Sequence, residues 1–245
     1  MSKKTAIITG ASRGIGRATA TLFAQNGYNV VINYCNSEKD AVELQNALCE
    51  HGFSCMAIKA DVSNEGQVKN MFLEAEQTFG NIDVLVNNAG IAKQQLFTDV
   101  SYEEWQRMLD VNVSGVFNCC QCALPGMIRR HSGKIINVSS IWGIVGASCE
   151  VTYSTTKAAI IGLTKALAKE VGPSNINVNC VAPGVIDTEM NSTLDEQTIA
   201  GLKDETPLCK IGSPMDIANT ILFLASDRAS FITGQVISPN GGFVI

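Results

Sequence analysis

Histidine is nearly missing from this sequence: two in 245 residues, which leaves little material for a metal site or a histidine-based triad. Charge is also thin, at 17% against the roughly 25% usual for soluble domains. The balance of that charge is −5. The longest basic run, Arg129-Arg130-His131, is too short to be the basic stripe of a nucleic-acid binder. No apolar stretch approaches the ~18 residues of a transmembrane helix. The positive opening Met1-Ser2-Lys3-Lys4 leads into an apolar run that breaks at Thr9-Gly10, so no secretory core follows. Nine cysteines, an odd count without a leader, read as reduced thiols in the cytoplasm. Disorder is excluded by a 46% hydrophobic fraction.

Short β-branched runs alternate with amphipathic stretches. The predicted strands are Thr5–Thr9, Asn29–Tyr34, Ser54–Ala60, Ile82–Val86, Lys134–Val138, Ile176–Val181 and Gln235–Ser238. Their near-continuous Val and Ile content suits strands covered on both faces, hence a parallel sheet. Helical patterns such as Ile15–Gln25, Lys39–His51 and Gln67–Phe79 lie between them. Ser101 with Glu104, and Ser213 with Pro214 and Asp216, are helix-start signals. Length alone allows one or two domains, but there is no repeat, linker or break in composition. The expectation is one α/β domain over residues 1–245, a doubly wound seven-stranded parallel sheet of Rossmann type.

The first strand runs into Thr9-Gly10-Ala11-Ser12-Arg13-Gly14-Ile15-Gly16, and a helix follows. Glycines permit a sharp turn and close approach to a pyrophosphate, which the helix N-terminus then faces. Read alone, the turn suits an ordinary loop as well as a phosphate cradle. An NAD site would place a carboxylate near the end of the second strand. Here that region reads Asn33-Tyr34-Cys35-Asn36-Ser37, with no carboxylate before Glu38. Arg13 can pair with a 2′-phosphate, so NADP(H) is the expected cofactor; the alternative is that Arg13 points into solvent.

Further down the chain stand Asp61-Val62, Asn87-Asn88-Ala89-Gly90, Asp110-Val111-Asn112-Val113, Ser140, Tyr153-x3-Lys157 and Pro183-Gly184-Val185-Ile186-Asp187-Thr188. Tyr153 and Lys157 share one helix face by their spacing. A phenol with a pKa near 10 is a poor acid or base at neutral pH, and a nearby ammonium or an oxidised nicotinamide favours its phenolate. A resemblance of these motifs to the short-chain dehydrogenase/reductase family implies that Tyr153 gives a proton to a carbonyl oxygen, or takes it back in reverse, while Ser140 hydrogen-bonds that oxygen. Four tyrosines and twelve lysines yield about 0.2 chance matches to this spacing, so the pair alone is only suggestive.

In this order and spacing, these motifs resemble the short-chain dehydrogenase/reductase family over essentially the whole chain. The resemblance implies catalytic roles for Asn112, Ser140, Tyr153 and Lys157, with Asn112 holding a water that links Lys157 to solvent. It implies a cofactor site of Gly10, Ser12, Arg13, Gly14, Ile15, Gly16 and Tyr34 at the phosphates and ribose. Asp61 and Val62 are then the adenine contact, continued by Asn88, Ala89 and Gly90. Tyr153, Lys157, Pro183 and Gly184 follow, with the Ile186 backbone and Thr188 hydroxyl on the nicotinamide carboxamide. Glu189–Glu205 resembles the family's helical lid, a flexible surface loop being the alternative.

Cys119, Cys120 and Cys122 are read as small packed side chains, because no matching ligands make a zinc site; no metal is expected. Cys149, four residues before Tyr153, is placed in the loop that lines the substrate cleft. The helices near Val113–Ile128 and Tyr153–Val171 are apolar beyond a single stripe, which points to a subunit contact. The family resemblance makes a homotetramer the first expectation and a homodimer the second.

Within the family the chain is most similar to bacterial 3-oxoacyl-acyl-carrier-protein reductases, on Ile211-Gly212-Ser213-Pro214, Phe223-Leu224-Ala225-Ser226-Asp227 and the Thr233-Gly234-Gln235 ending. It departs at Ala92-Lys93-Gln94 and at Ser174-Asn175, where an arginine for docking the acidic carrier is common; Arg129 and Arg130 are the alternative patch. Segment 139–151 resembles a branch that reduces 5-aminopentanone on elongation factor P, and Glu150 suits a cationic amine there. A hydroxysteroid or sugar-alcohol dehydrogenase is a third expectation. An NADP-binding module without turnover is disfavoured by the presence of both Tyr153 and Lys157.

Overall fold

A computed structural model describes residues 3–189 and 195–245. Seven strands make one parallel sheet: β1 (Thr5–Ile8), β2 (Asn29–Tyr34), β3 (Cys55–Lys59), β4 (Val84–Asn87), β5 (Gly133–Val138), β6 (Ile176–Val181) and β7 (Val236–Ile237). Their order is β3-β2-β1-β4-β5-β6-β7. The order reverses beside β1, between β2 and β4, so a crevice opens at the carboxyl ends of β1 and β4. The fold is therefore the doubly wound α/β sheet expected.

Successive side chains on each strand enter opposite layers. Ile7, Val31, Leu85, Ile135 and Val178 join one hydrophobic cluster. It is closed by α3 (Glu65–Phe79), α5 (Gly115–Arg130) and α7 (Val151–Val171). Ala6, Ile8, Val30, Ile32, Val84, Val86 and Ile136 enter the other cluster. That layer is closed by α1 (Gly14–Gln25), α2 (Glu38–Glu50) and α9 (Pro214–Ala225). Burial on both faces accounts for the near-continuous Val and Ile runs in the sequence.

Local chemistry sets the helix starts. Ser101 and Glu104 form a capping box at α4 (Tyr102–Leu109), and Ser213 and Asp216 form another at α9. Asn64 caps α3 by accepting from the Gln67 amide, so the helix begins two residues before the expected Gln67. The last strand stops before Ser238, and Pro239 follows it. The largest difference from expectation precedes α5. In place of one helix from Val113, α4 runs into a π-helical turn, Asp110–Ser114, and then into α5. A short α6 (Trp142–Val145) follows β5, and α8 (Glu196–Glu205) precedes α9. Of the lid segment expected over Glu189–Glu205, residues 190–194 lie outside those described, as do Met1 and Ser2.

Cys119 and Cys120 are buried in the first cluster, with Cys122 packed against it. Among the described residues no group of three or more His, Cys, Asp or Glu is placed to hold a metal ion. Nor is any helix there long and apolar enough to cross a membrane.

Candidate active site

The crevice beside β1 holds a groove of about 270 Å³. Gly10 turns the chain out of β1 at φ +62°, a left-handed conformation that favours glycine. Its amide donates to Asn33 Oδ1 at 3.2 Å, and the Ala11 amide donates to the Asn33 carbonyl at 2.8 Å. On the other side, Asn88 Nδ2 donates to the carbonyls of Thr9 and Gly10 at 2.9 and 3.0 Å. Thr9 Oγ1 accepts from the amides of Asn88 and Ala89, both at 3.0 Å. The turn is thus latched to β2 and to the loop after β4. A Cβ at Gly16 would lie 2.2 Å from the Gly10 carbonyl oxygen, so α1 packs against the turn as only glycine allows. No side chain caps the start of α1, which leaves its first amides open to an anion.

Gly10, Ser12, Arg13, Gly14, Ile15, Gly16, Tyr34, Asp61, Val62, Asn88, Ala89, Gly90 and Thr188 all line this groove. A backbone cradle with little side-chain bulk, at a helix start in a sheet crevice, fits a dinucleotide. Asp61 is held below the usual carboxylate range despite partial burial. Hydrogen bonds from the Ser63 amide and hydroxyl and from the Arg107 guanidinium, which lies at 3.0 Å, do this. Arg13 stands 4.0 Å from Glu189, with both side chains largely exposed, a solvent-screened pair.

Sequence reasoning missed Thr9, Asn33 and Arg107. For the first two a signal exists: a polar residue closing an apolar strand, and one inside Asn29-Val-Val-Ile-Asn33-Tyr. Arg107 reaches the groove from α4 and carries no local signal.

A second cleft, of about 530 Å³, opens beside the first, and Ile15, Asn88, Gly90 and Thr188 line both. Ser140, Tyr153, Lys157, Pro183, Gly184 and Ile186 also line it. Ser140 follows β5, and its Oγ accepts from the Trp142 amide at 3.2 Å. Tyr153 and Lys157, one turn apart on α7, bring the Lys157 Nζ to 5.5 Å from the phenol ring centre. The Pro183 carbonyl accepts from the Ile141 amide, and the Gly184 amide donates to the Pro239 carbonyl, so the loop after β6 is fixed from both sides.

Asn112 sits in the π-helical turn and is 1% exposed. Its Oδ1 accepts from the Ile91 amide at 2.8 Å, and its Nδ2 donates to the Ile91 carbonyl at 2.9 Å. Nδ2 also donates to Thr156 Oγ1 at 3.0 Å, and that hydroxyl donates to the Tyr153 carbonyl at 2.8 Å. Asn112 therefore ties the loop after β4 to the helix that carries Tyr153. Gly90 brings Asn112 and Lys157 together: a Cβ there would meet Asn112 Oδ1 at 3.3 Å and Lys157 Nζ at 3.4 Å.

An ammonium at Lys157 together with an oxidised nicotinamide is expected to draw the Tyr153 pKa down; in the protein alone, burial pushes the phenol up to about 12. Its hydrogen bond with Ser140 opposes the rise, and the charge of Glu150 adds to it. Burial also pulls Lys157 down to about 8. The Lys157 Nζ donates to the Val138 carbonyl at 2.9 Å rather than to the phenol. A low-dielectric site disfavours phenolate and ammonium alike, and burial is the largest influence on both groups.

One further expectation changes. Glu150, not Cys149, lines the cleft. Cys149 occupies a left-handed position at φ +59°, and its carbonyl accepts from the Gln95 amide. Of the two arginines of the alternative docking patch, Arg130 bonds Asn81 Oδ1 and the Ile82 carbonyl, while Arg129 is exposed. From α8, Thr198 and Leu202 reach the cleft, in line with a covering role for that segment.

A family model described as enoyl-(acyl carrier protein) reductase matches residues 10–244. The chain is 46% identical to a 3-oxoacyl-[acyl-carrier-protein] reductase of Staphylococcus aureus strain Mu50, over 98% of this chain and 97% of that protein. Enzymes of the same name from Chlamydia trachomatis and Aquifex aeolicus are 44% and 41% identical, each over 98% of this chain and 96% of theirs. Both the matched length and these identities agree with the crevice, the glycine turn and the Ser-Tyr-Lys cleft: the chain belongs to the short-chain dehydrogenase/reductase family of oxidoreductases.

Proposed function

We propose that this protein reduces a ketone to a secondary alcohol with NADPH, and that the ketone is a 3-oxoacyl group on an acyl-carrier protein. The observation that carries the reading is the convergence of Ser140, Tyr153 and Lys157 on one cleft continuous with the dinucleotide groove. The relatives' names supply the carrier. The groove lined by the glycine turn, Tyr34, Asp61 and Asn88 would hold a reduced nicotinamide dinucleotide, which when bound would supply hydride. Tyr153 donates its phenolic proton to the ketone oxygen, and Ser140 hydrogen-bonds that oxygen as its charge grows. A phenol kept protonated by burial is ready for the reductive direction. Lys157 sits beside the ring to favour the phenolate left behind, and Asn112 holds both elements in place.

Arg13, Tyr34 and Ser37 line the groove where the ribose phosphate belongs, and Asn33–Ser37 offers no carboxylate to a 2′-hydroxyl. NADPH is therefore the expected reductant. Arg13→Ala should raise the KM for NADPH by about tenfold, the value of one exposed charge-assisted contact, and leave that for NADH unchanged. A wild-type enzyme that prefers NADH in kcat/KM overturns this assignment.

One observation favours a second substrate. Glu150 lines the cleft half-buried, and burial raises its carboxyl pKa. A substrate ammonium would offset that desolvation and relieve the Tyr153 phenol of a neighbouring charge. The 5-aminopentanone group on elongation factor P carries such an ammonium. Acetoacetyl-carrier protein and aminopentanone-bearing elongation factor P, offered side by side with NADPH, decide between the readings. Turnover of the carrier substrate alone supports the first, turnover of the amine alone the second, and turnover of neither rejects both.

We further propose a homotetramer. Phe117 and Ile128 are exposed on α5, and the outer face of α7 presents Ala158, Ala159, Gly162 and Ala166, small enough for close helix contact. A monomeric mass by light scattering overturns it. A cytoplasmic setting accords with the nine free thiols, and one domain over 1–245 with the continuous sheet.

A further inference from the structure

Two thiols that the reaction does not use meet at the outer edge of the sheet. Cys49 lies in the last turn of α2 and Cys55 opens β3, six positions later. Their Sγ atoms are 3.5 Å apart. Cys49 is exposed and Cys55 half-buried. The turn between them is ordered by backbone bonds from Gly52 to the Cys49 carbonyl and from Phe53 to the Leu48 carbonyl. Gln45, one turn earlier on α2, accepts from the Ala57 amide through Oε1 at 2.6 Å and takes the Cys55 thiol on its carbonyl at 3.6 Å.

The setting gives this contact a mechanical meaning. β3 is an edge strand with β2 as its one partner, and its first three residues are only partly buried. Edge strands need cover, and here a helix supplies it through Gln45 and the two thiols. We propose that Cys49 and Cys55 form a reversible thiol–disulfide site that staples α2 to the edge strand when the surroundings become oxidising.

The oxidant is a low-molecular-weight disulfide. The Cys49 thiolate attacks one of its sulfurs, forming a mixed disulfide and releasing one thiolate. Cys55 loses its proton to solvent as its sulfur attacks Cys49 Sγ, which breaks the mixed disulfide and releases the second thiolate. Two protein thiols are oxidised and one small disulfide is reduced to two thiols. Cys49 attacks first because it is exposed, whereas burial and the bond with Cys49 hold the Cys55 thiol up at about 12. The second step is intramolecular between atoms already in contact, so it outruns release of the adduct. The pair stands at the start of β3, and the dinucleotide groove at its far end, so turnover continues.

Glutathione disulfide added to the full chain tests this. The intact mass should fall by two hydrogens, a Cys49–Cys55 linked peptide should be recovered, and dithiothreitol should reverse both. Amide exchange at Met56 and Ala57 should slow by on the order of tenfold in the oxidised form. Cys55→Ser should stop at a glutathione adduct on Cys49, which separates closure from simple reactivity. A stable adduct on Cys49 of the wild-type chain, or a linkage between other cysteines, overturns the proposal.

Discussion

Tyr153→Phe should lower kcat/KM for ketone reduction by about a thousandfold, the usual weight of a positioned proton donor. That is about 4 kcal/mol of transition-state stabilisation. The change removes one hydroxyl and keeps the ring, so Lys157 Nζ retains its place 5.5 Å from the ring centre. Ser140 remains to hydrogen-bond the ketone oxygen but cannot replace the proton. NADPH binding, followed by nicotinamide fluorescence, should stay within about twofold, since the groove is lined chiefly by the glycine turn and the ends of β2 to β4. Turnover within tenfold of wild type rules out Tyr153 as the acid. Loss of NADPH binding as well would instead assign it a structural role.

Gly16→Ala should damage the protein at an earlier step. The added methyl lies 2.2 Å from the Gly10 oxygen, 2.6 Å from Asn88 Nδ2 and 2.9 Å from Ala11 Cα. Two of these are backbone atoms of the turn, and the third belongs to the amide that latches it to Thr9 and Gly10. Overpacking of this kind costs about 1–3 kcal/mol in stability. The relief available, moving α1 away from the turn, opens the cradle that the phosphates need, so the Kd for NADPH should rise by about a hundredfold. Gly201→Ala is the control, since a Cβ in that part of α8 meets nothing within 4 Å. It should leave binding unchanged and raise stability slightly. Equal behaviour of the two variants in denaturant and in NADPH titration contradicts the crowding argument.

What the sequence made legible follows from how local each determinant is. The strands were readable because burial on both faces demands runs of Val and Ile, and the two capping boxes because each is a pair of residues three positions apart. The glycine turn and the Tyr153-Lys157 pair were readable for the same reason, each being complete within eight residues or fewer. Long-range pairings were not. Arg107 reaches Asp61 across 46 positions, and Asn112 reaches Thr156 across 44. The direction of the Tyr153 shift also escaped the sequence, since it depends on burial that only tertiary packing creates. Glu150 and Cys149 are adjacent in sequence, and Glu150 is the one that lines the cleft, beside the left-handed backbone of Cys149.

The π-helical turn has a consequence for evolution by insertion and deletion. A helix advances about 100° per residue, so one extra residue in a turn changes the angular phase of everything beyond it. With the turn in place, α4 aims Arg107 at Asp61 while Asn112 faces Ile91 and Thr156. Beyond it, α5 sets Asn118 against the Val62 carbonyl. Removing a single residue between Asp110 and Ser114 would swing one half of this rod against the other and disengage one set of contacts. The length of that segment is thus fixed as firmly as the chemistry of its side chains.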